Sequence, residues 1–226
     1  MQMDGVCVKI SCSVIVVAAG SSRRMGFDKL AASLAGMPVL RRTVEAFLAV
    51  EGISEIIVVG PEARWQLLEG MKFTTPVRRV DGGATRQESV AAGLAEITSD
   101  YVAVHDGARP LISPADISDC MKAAFTHRAV ALARRVTETL KRSDADDWNA
   151  DPVSREHLWF METPQFFQTK LLREAYLEAR ARGLRLTDEV SAIEANGGRV
   201  KFIESRHPNL KITTPADLAL AEAYLI

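Results

Sequence analysis

The chain of 226 residues is long enough for one α/β domain with a substantial core, and we expect residues 1–226 to form a single domain. Hydrophobic residues make up 47% of the chain and charged residues 25%, which excludes a disordered, collagen-like or disulfide-scaffold protein. The formal net charge of −1 provides no overall field for nucleic acid or an anionic membrane, so any anion-binding site must be local.

The first predicted strand is the apolar stretch "CSVIVVAAG" at residues 12–20. It is far shorter than the roughly 18 apolar residues of a membrane span, and it leads into a basic loop rather than a cleavage site, so neither a span nor a signal peptide is expected. The cysteines, Cys7, Cys12 and Cys120, are odd in number and form no C-x-x-C pair, which is typical of a reducing compartment. We therefore expect a cytoplasmic protein.

Further short apolar runs follow along the chain, and helical patterns separate them. The runs "EIIVVG", "YVAVHDG" and "AVALARRV" have the composition of strands that are covered on both faces of a parallel sheet. Between them, "TRQESVAAGLAEI" has apolar residues at helical spacing with Thr85 as an N-cap, and "PADISDCMKAAF" begins with Pro114, which suits a first helical turn. This alternation predicts a mostly parallel, doubly wound α/β sheet with helices on both faces.

The pattern changes between about residues 137 and 168. This stretch is polar, contains Pro152 and Pro164, and alternates short strand-like pieces with turn residues. We expect it to leave the sheet as a projecting arm. The α/β pattern then resumes with "TKLLREAYLEARARG", which ends in a glycine C-cap signal, and continues to a last helix opened by "TPADLALAEAYL".

Loops that follow predicted strands carry residues suited to phosphate chemistry, and ligands bind at that edge of an open α/β sheet. In "AAGSSRRMGFDK", Gly20 lets backbone N–H groups face a phosphate, while Arg24 and Lys29 supply positive charge. The loop matches neither a Walker A motif nor a G-x-G-x-x-G fingerprint. An ordinary solvated turn therefore stays open as an alternative.

Two later loops have the same position after a strand. In "VDGGATRQESV", Gly82 and Gly83 precede a helix and allow close approach of a base or a phosphate, although such pairs also form plain turns. In "VHDGARP", Asp106 follows directly on a strand and suits Mg²⁺, which binds through one or two carboxylates plus substrate phosphates. Alternatively, Asp106 caps the helix near Pro114 or pairs with Arg109.

Residues for other reaction types are scattered. His105 either acts as a base or is packed and hydrogen-bonded at its strand end, and the four histidines show no zinc-binding spacing. The sequence contains no G-x-S-x-G elbow and no convincing Cys/His pair, which argues against hydrolysis through a covalent intermediate.

The motifs together resemble a known family. "AAGSSRRMGFDK", "DGGATRQESV", "VHDGARP", "TETLKR", "ETPQFF", "LTDEVSAIE" and "NLKITTPADLALAEAYL" occur in the order found in 2-C-methyl-D-erythritol 4-phosphate cytidylyltransferases. The resemblance implies a Rossmann-like nucleotidyltransferase fold and a homodimer in which the arm embraces the partner. It also implies transfer of a cytidylyl group from CTP to methylerythritol phosphate, with Mg²⁺ and with pyrophosphate as the second product.

The resemblance also implies roles for particular residues. The implied catalytic residues are Arg24, Lys29, Arg155 and Lys211. The implied nucleotide-binding residues are Ala18, Ala19, Gly20, Gly83 and Ser89. The implied acceptor-binding residues are Asp106, Arg109, Thr139, Arg155, Thr187 and Lys211, of which Thr139 and Arg155 come from the other subunit's arm. Asp106 is the implied Mg²⁺ ligand.

Two positions depart from the family pattern. Ala84 stands where an acidic residue often lies near the ribose, and Pro208 stands where a second acidic residue can precede the asparagine of "NLK". Transfer to another acceptor, such as ribitol phosphate, and a nucleotide-binding module without turnover both stay open. The joint presence of Arg24, Lys29, Asp106 and Lys211 argues against the module, because binding alone would not need all these charges.

Overall fold

The structure, a computed structural model, describes residues 10–20 and 26–225. Within these ranges the strands, numbered in chain order, are β1 (Cys12–Val17), β2 (Ser33–Leu34), β3 (Met37–Pro38), β4 (Ile53–Val59), β5 (Val77–Val80), β6 (Tyr101–Asp106), β7 (Ala129–Arg135), β8 (Lys141–Ser143), β9 (Asn149–Pro152), β10 (Trp159–Gln168) and β11 (Lys201–Glu204). The helices are α1 (Val39–Leu48), α2 (Glu62–Trp65), α3 (Arg86–Glu96), α4 (Pro114–His127), α5 (Thr169–Ala181), α6 (Glu189–Ala195) and α7 (Pro215–Ala223). None of the helices in the described ranges is long and apolar enough to cross a membrane.

The central sheet of the described chain has the strand order β11-β7-β10-β6-β1-β4-β5. Strands β6, β1, β4 and β5 are mutually parallel, and β11 is parallel to β7, whereas β10 runs antiparallel between β6 and β7. The predicted α/β fold with a mostly parallel sheet is therefore confirmed. The carboxyl ends of β1, β4, β5 and β6 meet at one edge of the sheet.

Side-chain alternation along the strands divides the core into two clusters. Val14 and Val16 point to the face covered by α1, α4 and α7, whereas Ile15 points to the face covered by α3, α5 and α6. All three side chains are fully buried. The continuous apolar runs are thus explained by helices on both faces of the sheet.

The predicted helix starts are confirmed. The Thr85 hydroxyl accepts the Glu88 N–H and the Glu88 carboxylate accepts the Thr85 N–H, each at 3.1 Å. Pro114 lies in the first turn of α4, whose N-cap is Ser113. Ser113 accepts the Asp116 N–H at 3.0 Å, so the cap of α4 is Ser113 rather than Asp106.

The predicted bounds of the arm, 137–168, are wrong at the C-terminal end. Residues 159–168 form β10 in the central sheet, where Phe166 and Phe167 are fully buried. The pairing of β10 with β7 shifts register between Met161 and Gln165, and this irregularity accommodates Pro164 inside a central strand. The excursion is therefore shorter, with β8 and β9 forming a separate hairpin whose residues from 141 to 152 are all exposed.

We predict that Gly93→Ala destabilises the protein, although alanine is the better helix former by about 1 kcal/mol. Gly93 lies in α3, and an added methyl would be 2.9 Å from Val59 Cγ2 and 3.1 Å from Ile15 Cγ2. Overpacking costs roughly 1–3 kcal/mol, so we expect the free energy of unfolding in urea to fall by up to about 2 kcal/mol.

The control for this measurement is Ala95→Gly, on the exposed face of the same helix. It should lose about 1 kcal/mol through helix propensity alone. A gain of stability in Gly93→Ala would show that α3 does not need to pack this closely on the sheet.

Candidate active site

A cavity of about 530 Å³ lies at the carboxyl edge of the parallel strands. Several residues predicted from the sequence line it: Ala19, Gly20, Lys29, Gly83, Ser89, Asp106 and Lys211. Ala18 is buried next to them, and Ala84 also lines the cavity. Arg24 lies outside the described residues, so its placement relative to the cavity stays a prediction.

The loop after β1 and the loop after β5 meet at one wall of this cavity. A Cβ added at Gly82 would lie 2.6 Å from Ala19 Cβ, so this close approach requires glycine. The Gly83 N–H donates to Ser89 Oγ at 3.1 Å, and Ser89 Oγ donates to the Thr85 carbonyl at 2.9 Å. The wall is thus formed by backbone groups and one oriented hydroxyl.

Asp106 lies at the end of β6 and is the most strongly ion-paired carboxylate described at the cavity. Its Oδ2 accepts Lys211 Nζ at 2.6 Å, and its Oδ1 accepts Arg86 Nε at 3.2 Å. Arg109 Nε lies 3.8 Å from Oδ2. Burial would raise the pKa of Asp106, but Arg86 and Lys211 outweigh burial and hold that pKa well below its usual range. The carboxylate is therefore ionised.

Arg86, which pairs with Asp106, also forms an ion pair with Glu189. Arg86 Nη1 and Nη2 donate to the two oxygens of Glu189 at 2.7 and 3.0 Å, and Tyr176 donates its hydroxyl to Glu189 Oε1 at 2.9 Å. Glu189 is fully buried. The sequence does not reveal the pairing of Arg86 with Glu189, because no local signal links residues 103 positions apart.

His105 is structural. Its ring is fully buried, and burial lowers the pKa of His105 to about 3, so the ring is neutral. Nε2 donates to the Arg109 carbonyl at 3.2 Å. Because a neutral imidazole has one donor and one acceptor nitrogen, Nδ1 accepts the Thr163 hydroxyl at 3.0 Å. Thr163 Oγ1 in turn accepts the Asp106 N–H at 3.1 Å. This chain of hydrogen bonds fixes the backbone at Asp106.

The lysines of the cavity are carried by segments that contact each other. Lys29 Nζ donates to the Ile212 carbonyl at 3.0 Å, and the Ile212 N–H donates to the Ala108 carbonyl at 2.8 Å. Ile212 follows Lys211 directly, so the hydrogen bond from Lys29 to Ile212 holds the segments that carry the two lysines next to each other.

Other predicted residues are not brought to this cavity. Arg109 donates Nη1 to the Asn209 carbonyl at 2.7 Å and Nη2 to the Met161 carbonyl at 3.4 Å. Thr139 and Arg155 are exposed on the arm segment, and Thr187 is exposed just before α6. Their predicted role in acceptor binding therefore needs a second subunit or movement on binding.

A second groove, of about 990 Å³, lies between α3 and α5 on the other side of Arg86. Apolar side chains such as Leu94, Leu177 and Leu184 line much of it. None of the predicted site residues within the described ranges lines this groove, so the predicted residues that the structure brings together are those of the smaller cavity.

Comparisons with known proteins identify the family of the chain. A family model described as "IspD: 2-C-methyl-D-erythritol 4-phosphate cytidylyltransferase" matches residues 12–226. A curated protein of that name from Parasynechococcus marenigrum is 44% identical over 218 residues, which cover 94% of this chain and 96% of the relative. Another, from Caldanaerobacter subterraneus subsp. tengcongensis, is 39% identical over 225 residues, covering 96% and 99%.

Solved structures are also similar. The crystal structure of 4-diphosphocytidyl-2C-methyl-D-erythritol synthase from Anaerococcus prevotii has a TM-score of 0.85 and 30% identity, over 96% of this chain and 99% of that one. The crystal structure of 2-C-methyl-D-erythritol 4-phosphate cytidylyltransferase from Thermus thermophilus has a TM-score of 0.79 and 32% identity, over 96% and 100%. The chain belongs to the 2-C-methyl-D-erythritol 4-phosphate cytidylyltransferase family.

Proposed function

We propose that this protein transfers the cytidylyl group of CTP to 2-C-methyl-D-erythritol 4-phosphate, giving 4-diphosphocytidyl-2-C-methyl-D-erythritol and pyrophosphate for isoprenoid precursors. The observation that carries the proposal is the convergence of Lys29, Lys211 and Asp106 with the backbone wall of Gly83 and Ser89 in one cavity. Membership of the cytidylyltransferase family supports the identity of both substrates.

The cytidine binds along the wall formed by the two loops. Ala18, Ala19 and Gly20 follow β1, and Gly83 and Ser89 face them from the start of α3. Ser89 Oγ is already oriented by its bonds to Gly83 and Thr85, so little ordering is needed when the nucleotide binds.

The reaction itself needs charge and alignment rather than a strong base. An oxygen of the acceptor phosphate attacks the α-phosphorus of CTP, the bond from that phosphorus to the bridging oxygen breaks, and pyrophosphate leaves with the electron pair. The attacking phosphate is already anionic at neutral pH, so the main barrier is repulsion between two anions in a partly desolvated cavity. Lys29 and Lys211, joined in our proposal by Arg24, reduce that repulsion and stabilise the charge of the leaving pyrophosphate.

The chemistry of the cavity fits Mg²⁺. Asp106 is an ionised carboxylate at the cavity wall, and Mg²⁺ is commonly bound by one or two carboxylates together with substrate phosphates and water. Across the described residues, no cluster of three or more His, Cys, Asp or Glu side chains could hold a metal ion. Asp106 would therefore hold Mg²⁺ jointly with the triphosphate, and the ion would neutralise part of the phosphate charge.

We also propose that the protein acts as a homodimer through its arm. Thr139 and Arg155 lie on the segment that projects between β7 and β10, and Trp148 at the hairpin is 72% exposed. A large aromatic side chain in this position is typical of a surface that a partner covers. Docked on a second copy, the arm would bring Thr139 and Arg155 to the acceptor phosphate near Lys211 in the partner's cavity. Arg109 and Thr187 would reach that phosphate by moving when the acceptor binds.

A reducing, cytoplasmic location is part of the proposal. Cys12 and Cys120 are buried free thiols. Burial raises the pKa of Cys12 to about 12, so the reactive thiolate is rare at neutral pH.

The proposed function is tested by measuring pyrophosphate release in Mg²⁺ with each of the four nucleoside triphosphates, with methylerythritol phosphate, with ribitol phosphate or with no acceptor. We expect pyrophosphate release only when CTP and methylerythritol phosphate are both present. Release with CTP and ribitol phosphate alone would assign another acceptor. CTP binding without release in any combination would assign a binding module.

We predict that Lys29→Ala lowers kcat by about 10²- to 10³-fold, the range for loss of one preorganised group that stabilises developing charge. Pyrophosphate release measures the rate, and thermal unfolding should change little because the side chain lies at a cavity edge. Lys122→Ala, on the exposed face of α4, is the matched control and should retain wild-type activity. A near-wild-type rate for Lys29→Ala would remove this lysine from the reaction.

Asp106→Asn keeps the size of the side chain but removes its charge. We predict that the Mg²⁺ concentration for half-maximal activity rises at least about tenfold, because a neutral amide is a weaker Mg²⁺ ligand. Asp100→Asn, which changes the residue just before the opposite end of β6, should leave this concentration unchanged. Equal Mg²⁺ dependence of Asp106→Asn and the wild type would contradict the assignment of Asp106 as the ligand.

The action of Arg155 in the partner's cavity is tested by mixing two inactive variants. A heterodimer of an Arg155→Ala chain and a Lys29→Ala chain has one cavity with both residues intact, so equal mixing should restore roughly a quarter of wild-type activity by random pairing in a symmetric dimer. Native mass spectrometry confirms heterodimer formation. Confirmed heterodimers without recovered activity would place Arg155 outside the partner's cavity.

A further inference from the structure

Arg64 is a buried arginine that the proposed reaction does not use. It lies in the short helix α2 after β4 and is 7% exposed. Burial lowers the pKa of Arg64, but an arginine side chain stays charged in proteins. A buried guanidinium is tolerated where its N–H groups are bound by acceptors, so its contacts indicate what it does.

The contacts of Arg64 join two segments that border the cavity. Nε donates to the Ala18 carbonyl and Nη2 donates to the Gly20 carbonyl, both at 3.2 Å. Nη1 forms an ion pair with the carboxylate of Asp28. One guanidinium therefore holds the backbone that follows β1 and, through Asp28, the segment that carries Lys29.

Both segments continue directly into the proposed CTP site. Ala18 is fixed from its other side, because its N–H donates to the Val59 carbonyl at 2.8 Å. Asp28 Oδ1 accepts the Leu30 N–H at 3.0 Å, which shapes the turn around Lys29. Gly20 and Lys29 both line the 530 Å³ cavity, whereas Arg64 lies behind it.

We propose that Arg64 is a positioning residue for CTP, which sets the separation between the cytidine-binding backbone at Ala18–Gly20 and the phosphate-binding Lys29. This inference rests on the proposed function. The planar guanidinium serves two carbonyls and a carboxylate in different directions at once, and a lysine, with a single ammonium centre on a flexible stem, does not reproduce that geometry. Arg64 itself does not contact the substrates.

The test compares Arg64→Gln, Arg64→Lys and the wild type in steady-state kinetics and in CTP binding by isothermal titration calorimetry. We expect both variants to weaken CTP binding about tenfold and to lower kcat by about tenfold or more, since misplacement by about 1 Å can cost 10²-fold in rate. The KM for methylerythritol phosphate should stay within about twofold of wild type, because Arg64 contacts only the nucleotide side of the cavity.

Arg79→Gln is the matched control. Arg79 also supports α2, since it donates to the Gly60 carbonyl at 3.0 Å and pairs with Glu62 at 2.9 Å, but it has no described contact with Ala18, Gly20 or Asp28. If Arg64 only stabilised α2, Arg79→Gln would weaken CTP binding to the same extent, and that result would overturn the inference.

Asp28→Asn provides a second test if Arg64→Gln fails to fold. The Asp28 side chain is 38% exposed, so we expect this substitution to leave the fold intact. It should weaken CTP binding in the same direction and by a smaller factor. Wild-type CTP affinity in Asp28→Asn and Arg64→Lys would overturn the inference. If the wild-type protein binds CTP but shows no turnover, that result would contradict the proposed function alone. The effect of Arg64 on CTP affinity is measured without the acceptor, so its test would still stand.

Discussion

The ionised carboxylate of Asp106 is the group on which the charge balance of the site depends. Its burial at the end of β6 favours the protonated form, and Arg86 and Lys211 reverse that preference. These cations come from α3 and from the segment before α7, which are 20 positions before and 105 positions after Asp106. A buried carboxylate without such partners has a raised pKa. The low pKa of Asp106 in the folded protein therefore depends on the packing of these two segments onto the sheet.

The parallel sheet explains how residues so far apart in sequence meet. Strands β1, β5 and β6 end at the same edge, and each leads into a loop that lines the cavity. The Gly107 N–H donates to the Val17 carbonyl at 3.0 Å, and the Gly60 N–H donates to the Val80 carbonyl at 2.9 Å, so the strand pairing continues into the loops. The cavity is lined both by main-chain groups and by lysines, which suits a nucleotide with a neutral base and an anionic tail.

Much of this fold follows from sequence patterns. The β-branched runs predict the buried parallel strands because each is covered on both faces, and Thr85 and Pro114 mark helix starts through local hydrogen bonding and backbone geometry. The sequence pattern places the stretch 159–168 in the arm, because Pro164 and its polar neighbours are typical of turns. In the structure a register shift makes room for the proline, and only long-range pairing with β6 and β7 shows that the segment is a strand.

The site is less completely predictable from the sequence than the fold. Lys29, Asp106 and Lys211 belong to recognisable motifs, and the structure brings them together at one cavity. Arg64 and the partnership of Arg86 with Glu189 have no such signal, because each depends on acceptors supplied by distant segments. The motifs place Arg109 at the acceptor, yet its terminal nitrogens donate to the backbone carbonyls of Asn209 and Met161.

The location of the nucleotide is the central claim, and a crystal structure of the protein with CTP tests it most directly. We expect the cytosine against Gly83 and Ser89, and the triphosphate between Gly20 and the ammonium groups of Lys29 and Lys211. Binding of CTP in the apolar groove between α3 and α5, or with its triphosphate directed away from Lys29 and Lys211, would contradict this account of the site.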